Sequence, residues 1–327
     1  MKCLVTGGTG FIGWRVAKNL LSREIPVVVA DSNLDPATCD RLKQQGGDLA
    51  HFSECDVSDS ASIDEVLKKN PGTTHAIHLA YLMSAEVEAN PPLGIRVNVL
   101  GMVNMFEAAA RHKLSRLVFT SSETVYGASQ KVFGARPVTE SDYCGPHDHY
   151  FTYGVMKILN EFMAEKYVAR HGLSIACIRP PVVFGHGRKR GAVLWAESFI
   201  SLPAIGQPVH LPFPSESRDC WIYVDDCAEQ LVRLTLKPQL SHFVYNSGGH
   251  SVSAAQLAEA VRHWLPEAQI VFDQNGSGTP LVDDLDGRRL IEEIGFTPRL
   301  LGEGVLAHIN EARASAGVSL LNPFEVI

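Results

Sequence analysis

The chain has 327 residues, enough for roughly two domains and for a sizeable core that needs no disulfide or metal staple. Hydrophobic residues make up 45% and charged residues 20%, which fits a folded protein and not a disordered one. Lysine plus arginine number 29 against 36 aspartates and glutamates, so the formal net charge is −7 and gives no electrostatic reason to expect a nucleic acid partner.

The seven cysteines, at 3, 39, 55, 144, 177, 220 and 227, contain no CxxC pair, so neither a disulfide framework nor a thiolate zinc site is expected. A reducing cytoplasm is the expected location. Met1 to Thr6 reads as a strand that runs straight into glycines, without the pattern of a signal peptide. No stretch approaches the roughly 20 apolar residues of a spanning helix, so no membrane association is expected.

In chain order, short β-branched runs alternate with helical patterns: Cys3 to Thr6, then Phe11 to Leu21; Val27 to Ala30, then a turn-rich region; Ala76 to Ala80, then Arg96 to Arg111; Leu117 to Thr120. Such alternation predicts βαβ units and an α/β fold of the Rossmann type, a doubly wound parallel sheet. Ser129 to Thr152 is polar and unusually long for a loop, which predicts a functional or ligand-ordered segment. A helix is expected over Tyr153 to Arg170 and a strand over Ser174 to Ile178, before the Pro180-Pro181 break. Further strands are expected at Val209 to Phe213, Trp221 to Val224 and Phe243 to Asn246, and helices at Asp225 to Leu236, from Ala254, at Arg288 to Ile294 and at Val305 to Arg313. Ser253 and Gln256 have capping-box spacing. The expected division is a nucleotide-binding domain over 1–179 and a smaller α/β substrate lobe over 180–327, with the two interleaved.

Residues Leu4 to Gly13 read LVTGGTGFIG, a strand running into Gly7, Gly10 and Gly13 at the start of an amphipathic helix. Glycines let the backbone turn tightly and let a pyrophosphate reach the helix N-terminus, although glycines in a βα turn are also found for architecture alone. Asp31 ends the second strand, VVVAD, where a carboxylate can accept both ribose hydroxyls or simply form a turn. An acid there repels a 2′-phosphate, so the expected cofactor is NAD and not NADP. Asp56-Val57 follows the third strand and is placed either at the adenine edge or as a solvated loop.

Tyr153 and Lys157, in YGVMK, stand at i and i+4 on one side of a helix. An ammonium beside a phenol favours phenolate, which can take a proton from an alcohol as hydride leaves the carbon; an ordinary exposed helical pair is the alternative. Leu117 to Thr120 runs into SSETVYG at 121–127, and hydroxyls beyond the carboxyl end of a parallel strand point at the ligand crevice. Ser122 or Thr124 could donate to the reacting oxygen, or cap the next turn.

With these residues the sequence resembles the extended short-chain dehydrogenase/reductase group, also called the NAD-dependent epimerase/dehydratase family. TGGTGFIG at 6–13, HLA at 78–80, NP at 90–91 followed by NVLG at 98–101, SSETVYG, YGVMK, RPPVVFG at 179–185 and RDCWIYVDD at 218–226 are similar to its landmarks, in its order. The resemblance implies that Tyr153 is the acid/base, that Lys157 binds the nicotinamide ribose and that Ser122 orients the substrate. It also implies that Asn98 supports the lysine through water, and that Phe11, Ile12, Leu79, Ala80, Pro180 and Val183 contact the cofactor. A homodimer built on the helices at 96–111 and 153–170 is implied as well.

The stretch between HLA and NP has nine residues, with Leu82-Met83-Ser84 near its start, and this and Phe199 to Pro214 resemble the threonine and D-erythronate dehydrogenase branches. Ser84, Glu123, Arg188 and Arg218 are candidate substrate contacts, Arg218 being preferred over Arg188 as the anchor of a small carboxylate or a phosphate. Glu123-Thr124 stands where dehydratases have Asp-Glu, which puts dehydratase chemistry in doubt. His75, His78, His147, His149 and His186 form no spaced ligand set, so no metal is expected. The sequence therefore predicts an NAD-dependent oxidoreductase acting on a secondary alcohol of a hydroxy acid, sugar acid or amino alcohol. The alternatives are a UDP- or dTDP-sugar epimerase with tightly bound NAD, and a non-catalytic NAD-binding structural or regulatory protein.

Overall fold

The computed structural model describes residues 1–322. Its first part runs β1 (Lys2–Thr6), α1 (Gly13–Leu21), β2 (Val27–Asp31), α2 (Pro36–Gly46), β3 (Ala50–Glu54), α3 (Ser60–Lys69) and β4 (Thr73–His78). Then come α4 (Ser84–Ala89), α5 (Pro91–Gly94), a π-helical stretch over Ile95–Leu100, α6 (Gly101–Arg111), β5 (Arg116–Thr120), α7 (Thr152–His171) and β6 (Ile175–Arg179). The remainder is β7 (Val182–Phe184), α8 (Trp195–Ala204), β8 (Val209–Leu211), β9 (Arg218–Tyr223), α9 (Val224–Leu236), β10 (Val244–Asn246), β11 (His250–Ser253), α10 (Ala254–Trp264), β12 (Ile270–Phe272), α11 (Arg288–Ile294) and α12 (Leu301–Ser315).

Seven strands form one parallel sheet in the order β10-β6-β5-β4-β1-β2-β3. The strand order reverses between β1 and β4, which opens the ligand crevice at the carboxyl ends of those strands. Side-chain alternation divides the core into two layers. Cys3, Val5, Val27, Val29 and Ile77 face Val16 and Leu20 of α1 and Leu231 of α9. Leu4, Val28, Ala76, Leu117 and Phe119 face Ile63 of α3, Met102 and Phe106 of α6, and Ala164 of α7. Near-continuous apolar strands such as VVVAD follow from burial on both faces.

The chain beyond 180 builds two small sheets, β11-β9-β7 and β12-β8, and sends α9 and β10 back to the large one. The capping box at the start of α10 forms as spaced: Gln256 N–H donates to Ser253 Oγ, and Ser253 N–H to Gln256 Oε1. Two sequence expectations are corrected. The turn-rich region after β2 contains α2, whose few buried residues, Thr38 and Leu42, give almost no apolar stripe. The strand expected at Trp221 starts earlier, at Arg218, because β11 pairs along it. The 129–152 segment is anchored to the rest of the chain: Asn246 Nδ2 donates to the carbonyl of Val138, Asn246 N–H donates to Glu140 Oε1, and Val138 bridges to Leu285.

Candidate active site

Thr6 ends β1 beside Ala30 of β2 and His78 of β4, so the turn that follows opens at the strand-order reversal. Gly7 has φ +65° and lies against the backbone of Leu79-Ala80; a Cβ there would come within 2.7 Å of the Leu79 carbonyl carbon. At Gly13 a Cβ would meet the Gly7 oxygen at 2.0 Å. These two glycines therefore close the turn, and Gly10 is left exposed on its rim. No side chain caps α1 and its first turn holds no acid, so its positive dipole end is left unneutralised by protein charge. That is the environment a pyrophosphate requires.

Asp31 lies over this turn, where Thr9 N–H and Thr9 Oγ1 both donate to its Oδ2, at 3.1 and 2.8 Å. Among the described residues no hydrogen bond engages Oδ1, leaving an oxygen for a ribose hydroxyl. Phe11 and Ile12 are half-buried at the helix start. Asp56 is exposed and closes its own turn by accepting from Ser58 N–H and Oγ, the ordinary loop role. Val57 is buried under Gly101 and accepts a bond from Asn104 on its carbonyl.

The backbone of Gly154 packs directly on the Thr124 carbonyl, with a Cβ there falling at 2.5 Å, and this close approach sets the start of α7 beside the Ser122–Tyr126 turn. Tyr153 is buried against Val87 and Met156. Lys157 is fully enclosed: its Nζ donates to the Thr120 carbonyl at 2.6 Å and sits 2.9 Å above the centre of the Tyr81 ring and 5.2 Å from that of Tyr153. Burial drives both groups toward their neutral forms, holding the Lys157 ammonium well below its usual range and the Tyr153 phenol well above, with the Arg188 charge opposing the latter.

Ser122 Oγ accepts from Thr124 N–H at 3.2 Å and so caps the turn, while Thr124 Oγ1 is buried without a bond. Asn98 is buried beside Leu82. Its side chain clamps Leu82 by accepting from the N–H and donating to the carbonyl, at 2.8 and 2.9 Å. The carbonyl of Asn98, within the π-helical stretch, accepts from Asn160 Nδ2. Asn98 thus ties α7 to the segment after β4.

Along the substrate wall, Ser84 is buried at the start of α4, Pro180 is buried with its carbonyl accepting from Glu123 N–H, and the Val183 carbonyl accepts from Arg188 Nη1. Arg188 is half-buried and its charge acts on both Tyr153 and Glu123. Glu123 is 4% exposed, with Oε2 unbonded, and burial together with the charge of Asp219 holds its carboxyl well above the usual range. Arg218, preferred from sequence, is exposed, bonded to Ser251, and flanked by the charges of Asp283 and Asp284. Sequence reasoning missed Tyr81, whose signal was an aromatic directly after HLA, and Asp219, which the RD pair at 218–219 placed in plain view.

The model of the NAD dependent epimerase/dehydratase family matches residues 3–248. This chain belongs to that family. Among curated members, an L-threonine 3-dehydrogenase of Bos taurus mitochondria is 27% identical over 83% of this chain and 70% of its own. A putative UDP-glucose 4-epimerase of Methanocaldococcus jannaschii is 26% identical over 94% and 97%. Among solved structures, UDP-glucose 4-epimerase of Thermotoga maritima superposes with a TM-score of 0.83 at 22% identity, covering 97% of this chain and all of its own. L-threonine dehydrogenase of Clostridium difficile superposes at 0.82 and 20% identity, over 97% and 99%. As an extended short-chain dehydrogenase/reductase the protein is an NAD-dependent enzyme. The uncapped α1 terminus, the glycine turn and the open oxygen of Asp31 fit that cofactor.

Proposed function

We propose that the protein is an NAD-dependent dehydrogenase that interconverts a secondary alcohol and a ketone on a small polar substrate: a hydroxy acid, a sugar acid or an amino alcohol. The observation that carries this reading is the position of Arg188, a half-buried guanidinium acting on both Tyr153 and Glu123. A carboxylate bound there keeps the rest of a small molecule within reach of the phenol. By contrast Arg218, at the solvent edge beside Asp283 and Asp284, offers a poor setting for a diphosphate.

NAD supplies the hydride acceptor. Tyr153 takes the hydroxyl proton while Ser122 and Thr124 hold the oxygen; the C–H pair of electrons leaves as hydride and a ketone remains. The Arg188 cation favours the phenolate that this step needs, and Lys157 is placed to hold the nicotinamide ribose.

The test is accumulation of free NADH when purified protein is given NAD and a panel of hydroxy acids, sugar acids and amino alcohols. Turnover of one panel member, with kcat/KM falling about 10²- to 10⁴-fold in Tyr153→Phe at unchanged NAD affinity, is the expected result. A second reading, nucleotide-sugar epimerisation, is favoured by the full-length alignment with the M. jannaschii protein. It requires interconversion of UDP- or dTDP-sugars without net NADH. NAD binding with neither activity would leave the non-catalytic reading. We place the protein in the cytoplasm as a homodimer; no described helix is long and apolar enough to cross a membrane.

A further inference from the structure

Away from the substrate wall, on the far side of the loop that carries Arg188, four side chains from three segments meet at one point. His186 follows β7, Glu197 and Ser201 lie one turn apart on α8, and His308 is midway along α12. His186 Nδ1 is 3.2 Å from Glu197 Oε1 and 3.1 Å from Ser201 Oγ. Ser201 Oγ donates to Glu197 Oε1 at 2.6 Å and lies 2.9 Å from His308 Nε2. One nitrogen of each histidine and a carboxylate oxygen all fall within 4.8 Å of one another.

We propose that His186, Glu197 and His308 bind one zinc-class divalent cation, with Ser201 or a water as the fourth donor. Zinc bonds of about 2.0–2.1 Å put tetrahedral ligands roughly 3.3 Å apart, close to the His186–Glu197 separation, and rotamer adjustment closes the rest. Two imidazoles with one carboxylate are a donor set of the right softness for that ion. His308 is wholly buried and turns its Nε2 to the Ser201 hydroxyl, which His186 and Glu197 share.

The surrounding charge points the same way. Arg15 donates to the His186 carbonyl and is already paired with Asp225 at 2.9 Å and Glu311 at 2.7 Å. Together with Glu197 these four groups carry one positive and three negative charges, a surplus of two that a divalent cation neutralises. His186 and Glu197 are about a quarter exposed, which gives the ion a way in. Bound there, it pins the loop two residues before Arg188 to α8 and α12, so the site acts as a clamp on the substrate wall. Sequence spacing hid it because the donors come from segments that only the fold unites.

The experiment uses the full chain, stripped with chelator and dialysed. Zinc chloride titrated by calorimetry is expected to show one ion per chain and to raise Tm by a few degrees. Cobalt(II) in its place is expected to give tetrahedral d–d bands without thiolate charge transfer. The double variant His186→Asn/Glu197→Gln alters partly exposed groups only; its Tm is expected to match that of stripped protein and to ignore zinc. No stoichiometric uptake by the wild type, equal uptake by the double variant, or a thiolate spectrum would each overturn the site.

Discussion

Asp219 stands on β9 with its Oδ1 buried and unbonded, and burial, reinforced by the nearby charge of Asp283, moves its carboxyl from 3.8 up to about 7. A raised carboxyl keeps its proton in the folded chain while the unfolded chain has already lost it. The folded state therefore binds more protons between about pH 4 and 7, and stability falls as pH rises through that window. A shift of this size corresponds to at most about 4 kcal/mol. Asp219→Asn removes the titration, so its melting temperature is expected to exceed that of the wild type at pH 8 and to converge with it near pH 4. Parallel Tm curves for the two proteins across pH 4–8 would contradict the assignment. The residues themselves were legible to different degrees. Spacing placed Tyr153 and Lys157 on one helix side and Ser122 or Thr124 beyond a parallel strand, and the family resemblance assigned their roles. The sequence ranked Arg218 above Arg188, but the burial of each depends on which loop folds inward, and Arg218 lies exposed where Arg188 is half-buried.

Between β6 and α7 a buried ion pair does structural work that no motif advertised. Arg179 Nη2 and Nε donate to Glu161 Oε2 and Oε1 at 2.6 and 2.9 Å, and Arg179 Nη1 donates to the Tyr126 hydroxyl, which in turn donates to Asn246 Oδ1. Both partners are under a tenth exposed. Glu161→Gln leaves the guanidinium in low dielectric without its counter-charge and is expected to cost about 3–5 kcal/mol in urea unfolding. The paired replacement Glu161→Leu/Arg179→Met should recover most of that loss; if the single variant unfolds at the wild-type urea midpoint, the pair is inert. Among elements, those with two-faced burial were readable, such as β1, β2 and β5, because an apolar run bounded by turns has few alternatives. The helix α2 was not readable, since its Asp35 cap, which accepts from Thr38 N–H at 2.9 Å, precedes a surface stretch with little apolar period. Nor was the anchoring of 129–152, which depends on partners a hundred residues away, Asn246 and Leu285.

For the whole molecule, the outer faces of α7 and of the helix running through 91–111 carry apolar side chains that the chain itself leaves uncovered. Val155, Leu159 and Phe162 are 48%, 42% and 52% exposed and recur at helical spacing, while Ile95 and Leu100 are 54% and 45% exposed. The two helices pack side by side, which sets these apolar side chains on neighbouring elements. A two-fold pairing would bring four helices together and remove these side chains from water, at about 25 cal/mol for each Å² of apolar surface covered. Tyr153 and Lys157 lie on the inward side of the same α7, so such pairing would stiffen the helix that holds the acid/base. The double variant Leu159→Glu/Phe162→Glu places two carboxylates in the seam and is expected to sediment as a monomer where the wild type sediments as a dimer. The loss of pairing should be accompanied by a weaker kcat/KM on whichever substrate the panel reveals, since α7 loses its support. A wild type that sediments as a monomer at micromolar concentration, or a double variant that still pairs, would place the contact on another face.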